Sequence, residues 1–130
     1  MIVLDASVLI AHLDPDDAHH SSATLLLREP PAAPLLVHGL TLAEVLVGGV
    51  RVGRGEAMLA QLYAAGLVLA PQDEHEPLRL AELRVSSGLK LPDCCVLDAA
   101  LQHGAALATF DAALAEAGQR GGLDVLPQHA

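Results

Sequence analysis

Five short aliphatic runs, each separated from the next by a stretch with helical patterning, do most to limit what this chain can fold into. The first, Ile2-Val3-Leu4, has no alternating polar positions, as a strand buried on both faces requires. Leu35-Leu36-Val37-His38, Leu67-Val68-Leu69-Ala70 and Ala106-Leu107-Ala108-Thr109 repeat the pattern, and Leu123-Asp124-Val125-Leu126 is a weaker fifth. Parallel strands can be joined only by connections long enough to hold a helix. Strand-helix alternation therefore implies an α/β fold, a central parallel sheet of about five strands with helices on both faces. The 130 residues suffice for a single domain, 1–130, with its own core. With one Tyr and one Phe in the whole chain, that core must be aliphatic.

The intervening segments carry recognisable starts and stops. A helix is expected directly after Asp5, with Val8, Leu9, Ala11 and Leu13 on its apolar side. Asp14-Pro15-Asp16-Asp17 ends it and caps a second helix over 18–28. Pro30, Pro31 and Pro34 make a rigid connection. Thr41 opens a third helix through Glu44 and Leu46. Gly48-Gly49, Gly53 and Gly55 interrupt that segment and leave Arg51 and Arg54 in an irregular stretch. Further helices are expected over 56–65, 76–86, 92–103 and 112–117, with Gly66 as a C-cap and Gly118 as a break.

Sixteen acids against seven bases give a formal charge of −9, which argues against tracking long nucleic acid by bulk electrostatics. A bound divalent cation would reverse the local field at an acidic site, and a basic protein partner would be attracted to the surface. Met1-Ile2-Val3-Leu4 lacks a basic leader, and the most apolar later stretch contains His38 and Glu44, so a cytoplasmic chain without a membrane span is expected. The adjacent pair Cys94-Cys95 fits neither a zinc nor a CxxC pattern, and reads as two buried small hydrophobes. None of the seven histidines has zinc-ligand spacing; solvated or capping roles are expected.

Four acids stand where an apolar run gives way to a helix or a helix begins: Asp5, Glu44, Asp93 and Asp111. Singly, each has a structural explanation. Asp5, Asp93 and Asp111 suit N-cap or first-turn positions, and Thr41-Leu42-Ala43-Glu44 matches a capping box. Capping does not require a carboxylate, however, since Ser, Thr and Asn serve as well. In a doubly wound sheet the strand ends that feed helices open onto one edge, so these acids can converge. A cluster of four carboxylates stays ionised only if a cation fills it, and hard divalent ions take such oxygen ligands for phosphoryl chemistry.

The segments Ile2-Val3-Leu4-Asp5-Ala6-Ser7-Val8-Leu9, Thr41-Leu42-Ala43-Glu44-Val45, Leu91-Pro92-Asp93 and Ala108-Thr109-Phe110-Asp111 resemble, in order, the motifs of the PIN domain family. More narrowly, they resemble the VapC-type toxin ribonucleases of bacterial type II toxin–antitoxin pairs. The resemblance spans nearly the whole chain. It implies a PIN-like three-layer fold and a Mg²⁺-dependent endoribonuclease in which Mn²⁺ can substitute. Asp5, Glu44, Asp93 and Asp111 would be both catalytic residues and metal ligands, Asp111 matching the more variable position. It also implies a homodimer and a VapB-type antitoxin that blocks the site with a basic tail. Ser7 and Thr109 match polar residues that line the family site, although as isolated residues they read better as capping hydroxyls. Asp98, five residues after Asp93 on one helix, points well around it and reads as structural or rim. RNA contacts would rest on Arg51 and Arg54, with Lys90 a lesser candidate.

Three other functions compete. A receiver-like or phosphatase-like domain would phosphorylate Asp5, but the phosphatase pattern wants an Asp where Ser7 stands. A PIN-like binding module would have lost its chemistry, against which the intact quartet argues. A DNA-directed nuclease would use the same metal chemistry, since no residue here is identified as reading a 2′-hydroxyl.

Overall fold

The computed structural model describes residues 1–28 and 34–128; Pro30 and Pro31 of the expected rigid connection, and His129, lie outside them. The elements in chain order are β1 (Ile2–Leu4), α1 (Ala6–Leu13), α2 (His20–Arg28), β2 (Leu35–Val37), α3 (Gly39–Arg51), α4 (Gly55–Ala64), β3 (Leu67–Leu69), α5 (Glu76–Ser87), α6 (Leu91–His103), β4 (Ala106–Ala108), α7 (Ala112–Arg120) and β5 (Val125–Leu126). The five strands form one parallel sheet in the order β3-β2-β1-β4-β5.

The central strand explains the layering. Side chains alternate across a strand, so neighbours Val3 and Leu4 enter opposite faces, and both are fully buried. Val3 packs with Leu36, Leu107, Val96, Leu97 and Leu114, under α5, α6 and α7. Leu4 packs with Val37, Ala108, Val8, Leu9 and Leu42, under α1 to α4. The result is a helix–sheet–helix sandwich, the three-layer α/β architecture expected. The chain builds outward from β1 through β2 to β3, then returns to the other side of β1 for β4. Strand order thus reverses between β1 and β4, and the crevice beyond their carboxyl ends is where such sheets bind ligands.

Local structure departs from expectation where tertiary contacts override a glycine or hydroxyl signal. α3 begins at Gly39, not Thr41, and is capped by His38, whose Nδ1 accepts from the Leu40 N–H at 3.1 Å. The capping box is therefore not formed: Thr41 is buried and its Oγ1 has no hydrogen-bond partner among the described residues. α3 also runs through Gly48-Gly49 to Arg51, so Arg51 is helical, while Arg54 lies as expected in a short irregular stretch, after the turn at Val52 and Gly53 and at the N-cap of α4. Gly49 is there for close approach. A Cβ on it would lie 3.0 Å from Met58 Cε, and its carbonyl accepts from Arg54 N at 2.7 Å, closing the α3–α4 hairpin. Likewise α7 continues past Gly118 to Arg120, because a Cβ at Gly118 would come within 2.8 Å of Leu107 Cδ2 on β4. α2 begins at His20, two residues later than expected, after a turn in which the Asp14 and Asp17 carboxylates accept from the Asp16 and His19 amides.

Candidate active site

All four acids of the quartet belong to one edge of the sheet. Asp5 follows β1, and Asp111 follows β4. Glu44 lies in the second turn of α3, the helix leaving β2. Asp93 is in the first turn of α6, which runs antiparallel to the strand it feeds, so its N-terminus lies at the same carboxyl edge.

Asp5 is the most constrained. It stands at the N-cap of α1, yet its carboxylate makes no capping bond. Instead Ser7 Oγ and Thr109 Oγ1 both donate to Asp5 Oδ2, at 2.7 and 2.8 Å. Each hydroxyl is oriented by a backbone donor, Ser7 accepting from Phe110 N at 3.1 Å and Thr109 from Asp111 N at 3.0 Å. With their lone pairs so engaged, both protons point to the same carboxylate oxygen. Ser7 and Thr109 are thus partners of Asp5, and the capping role expected of them is not what the structure shows. Asp5 itself is only 7% exposed and keeps Oδ1 free of hydrogen bonds to the described residues.

Asp111 does cap: it is the N-cap of α7, and its Oδ1 accepts from Leu114 N at 2.9 Å. Glu44 and Asp111 are exposed, and Asp93 is half-buried. Burial pushes the Asp93 carboxyl above the usual carboxylate range, the negative fields of Asp5, Asp111 and Glu44 push it further, and Lys90 opposes them. The fold therefore gathers the four acids around one crevice, with one lysine opposing the charge they place on Asp93.

The remaining sequence candidates fall into structural roles. Asp98 is buried and takes Arg79 Nε at 2.9 Å and Nη2 at 3.2 Å, tying α5 to α6, while Arg79 also grips Asp73. Cys94 and Cys95 are buried on α6; burial raises both thiols, and Cys95, next influenced by Glu76, reaches about 11, so neither is a poised nucleophile. Arg51 and Arg54 are exposed at the α3–α4 corner.

Two features carried no sequence signal. His38, Glu76 and Cys95 bring their ligand atoms within 4.8 Å of one another. The hydrogen bonds argue against a metal there. His38 Nδ1 is an acceptor, so the ring proton is on Nε2, which donates to Glu76 Oε1 at 2.5 Å. A metal at Nε2 would leave both ring nitrogens without a proton, whereas a metal-bound histidine donates its second N–H. The trio is a buried clasp joining the start of α3 to α5 and α6. Second, His19 stacks on Phe110 with ring centroids 4.3 Å apart, at the rim of a cavity of about 500 Å³ that includes Thr109 and Asp111.

Comparison with known proteins agrees with this architecture. No curated protein matches the chain in sequence. Among solved structures, the sarcin-ricin loop cleaving toxin VapC20 of Mycobacterium tuberculosis is 19% identical, with a TM-score of 0.75 over 91% of this chain and 95% of that one. A toxin–antitoxin complex from Klebsiella pneumoniae is 26% identical, with a TM-score of 0.67 over 85% and 87%. FitAcB from Neisseria gonorrhoeae is 18% identical, with a TM-score of 0.70 over 96% of each. The model of the PIN domain matches residues 2–119, nearly the whole length over which the sheet, its helices and the acidic crevice are built, and the chain belongs to the PIN domain family.

Proposed function

We propose that this chain is a metal-dependent endoribonuclease, the toxin of a VapBC-type toxin–antitoxin pair, hydrolysing RNA phosphodiester bonds with Mg²⁺ or Mn²⁺ as cofactor. The observation that carries this is the crevice itself: a buried Asp5 fixed by two oriented hydroxyls, and an Asp93 whose carboxyl is raised by burial and then by the charges of Asp5, Asp111 and Glu44. That donor set fits a hard divalent cation. It is all carboxylate, the oxygen ligands that such an ion takes. When bound, the cation supplies an activated water and offsets charge on the phosphate.

The chain's own residues divide the work. Asp5 and Asp93 hold the principal ion, and Glu44 and Asp111 complete the site or orient water. Ser7 and Thr109 position Asp5 through the two hydrogen bonds they donate to its Oδ2. The α7 cap keeps Asp111 from turning away. No side chain at the crevice is needed as a covalent nucleophile. Arg51 lies seven residues beyond Glu44 on α3, two turns along nearly the same face and about 10 Å away. In this reading it and Arg54, both exposed, would meet an RNA phosphate beside the one being cut.

The neighbours support the biological setting: one is a sarcin-ricin loop cleaving toxin and another a toxin–antitoxin complex. An acidic chain with a negative crevice suits a VapB-type antitoxin with a basic tail, and the family also points to a homodimer. No described helix is long and apolar enough to cross a membrane.

Purified chain, free of any partner, is expected to cleave a structured RNA in Mg²⁺ or Mn²⁺, to be silent in excess EDTA, and to lose about 100-fold or more on Asp5→Asn. Cleavage that survives chelation would remove the metal mechanism. In the same assay Arg51→Ala with Arg54→Ala should weaken RNA binding and flatten its salt dependence; unchanged binding across salt concentrations would assign these arginines to plain surface charge.

A further inference from the structure

The single phenylalanine of this chain is not in the middle of a core. Phe110 lies between Thr109 and Asp111, half-buried, with its inner side against the α1–α4 core cluster and one ring face covered by His19 at an interplanar angle of 10°. His19 is exposed, and it is held in place from below. Its amide donates to Asp17 Oδ1 at 2.8 Å, its carbonyl accepts from Ala23 N at 2.9 Å, and the next residue anchors to Ala11 O through His20 Nδ1 at 2.8 Å. Beneath the stack, Phe110 N is bonded to Ser7 Oγ. The rings are therefore a fixed two-tier platform whose base is the same loop that orients the groups around Asp5.

The cavity this platform borders holds about 500 Å³ and is lined further by Gln119 and Asp124. Asp111 at its rim belongs to the metal crevice, where the scissile phosphate sits, but Asp124 on the far side has no such cation beside it and repels phosphate, so the backbone of a nucleic acid is not its occupant. A flat, neutral ring is. Single-stranded RNA is read by bases splayed out and stacked on aromatic or histidine rings, and such stacking is worth about 1–3 kcal/mol per base. Asp124 can only accept hydrogen bonds, and Gln119 can donate or accept, which supplies an edge for base N–H groups.

The geometry points to a nucleobase subsite: a base next to the scissile phosphate stacks on the exposed face of His19, backed by Phe110, with its edge toward Gln119 and Asp124. This rests on the ribonuclease reading of the crevice and adds the substrate class, an unpaired base flanking the cut. The α1–α2 turn then sets sequence preference, while the acid quartet sets chemistry.

The test uses a single-stranded oligoribonucleotide with one 2-aminopurine, whose fluorescence is quenched by stacking, and a 5′ fluorescein to report binding separately. Moving the 2-aminopurine along the strand, wild type should quench it strongly at one position, and His19→Ala should abolish that quench while weakening binding several-fold. Phe110→Leu, which keeps an apolar side chain against the core, should give a partial loss. Cleavage ladders of His19→Ala on an RNA pool should show broadened site preference. Full binding with equal 2-aminopurine brightness in wild type and His19→Ala would overturn the subsite, as would an identical ladder. Failure of wild type to cleave any RNA with metal present would instead overturn the ribonuclease reading, and the quench would still decide whether the platform takes a base.

Discussion

Asp93 shows how one residue reports a whole site. Its carboxyl is raised by burial first, and then by Asp5, Asp111 and Glu44. A raised acid binds its proton more tightly in the folded chain than in the unfolded one, so the ionised form costs stability. That cost is absent below the ordinary value of 3.8, where both states are protonated, grows as pH rises through the folded-state value, and is complete above it. Without metal, Asp93→Asn is therefore expected to raise the melting temperature at pH 7 by on the order of 1–3 °C, the gain fading as pH approaches 3.5. Thermal melts in EDTA at the two pH values check this. A gain of the same size at both would mean that charge among the acids is not its source. Asp5 has different neighbours, two hydroxyls donating to one oxygen, and the contrast shows that position along the chain says little about what surrounds a carboxylate.

At the scale of elements, the placement of α3 decides where Glu44 sits, and the His38–Glu76 clasp decides the placement of α3. His38 does two tasks with its two nitrogens, capping α3 through Nδ1 and holding α5 through Nε2. Both partners are 7% exposed. His38→Ala removes the cap and strands a buried carboxylate, so it should cost about 3–5 kcal/mol. Glu76→Gln keeps an acceptor oxygen for Nε2–H and loses only the charge assistance, a cost of roughly 1–2 kcal/mol. Urea denaturation of the two variants measures the difference; equal costs would show that the clasp is ordinary packing. The glycines of α3 and α7 belong to this scale too. Each weakens its helix intrinsically, yet each lets another element come closer than a methyl group would permit.

For the whole molecule, the acidic balance and the fold bear on the same partners. A crevice of four carboxylates at the switch point of a parallel sheet holds mutually repelling charge, which a bound cation would offset. Binding to the folded state alone stabilises it, by about 2.7 kcal/mol at a ligand concentration a hundred times Kd. Saturating Mn²⁺ should accordingly raise the melting temperature of the wild type by on the order of 10 °C and that of Asp5→Asn by far less. Equal shifts in the two proteins would place metal binding elsewhere on the acidic surface. The same net charge of −9 makes association with a basic partner fall with added salt.

Strand existence and the parallel α/β class were legible in the chain because buried strands read as continuous aliphatic runs, and five such runs alternate with helical segments. The positions of Asp5, Asp93 and Asp111 at helix starts were legible as well, because an acid where a helix begins is visible without coordinates, whereas Glu44 was singled out through a capping box that the fold does not form. Strand order, by contrast, comes from pairings between segments far apart in the chain. So does the local environment of Asp5, whose Thr109 donor is 104 residues away. The His38–Glu76 clasp spans 38 residues, and the His19–Phe110 stack joins the α1–α2 turn to the loop between β4 and α7. Local signals at Gly49, Gly118 and Thr41 pointed to breaks and caps that the fold does not use, because close packing between elements outweighs about 1 kcal/mol of intrinsic preference. Sequence alone therefore determined which segments become strands and which acids reach the edge of the sheet; tertiary structure decided what each acid touches, since hydrogen bonds and fields act through space and not along the chain.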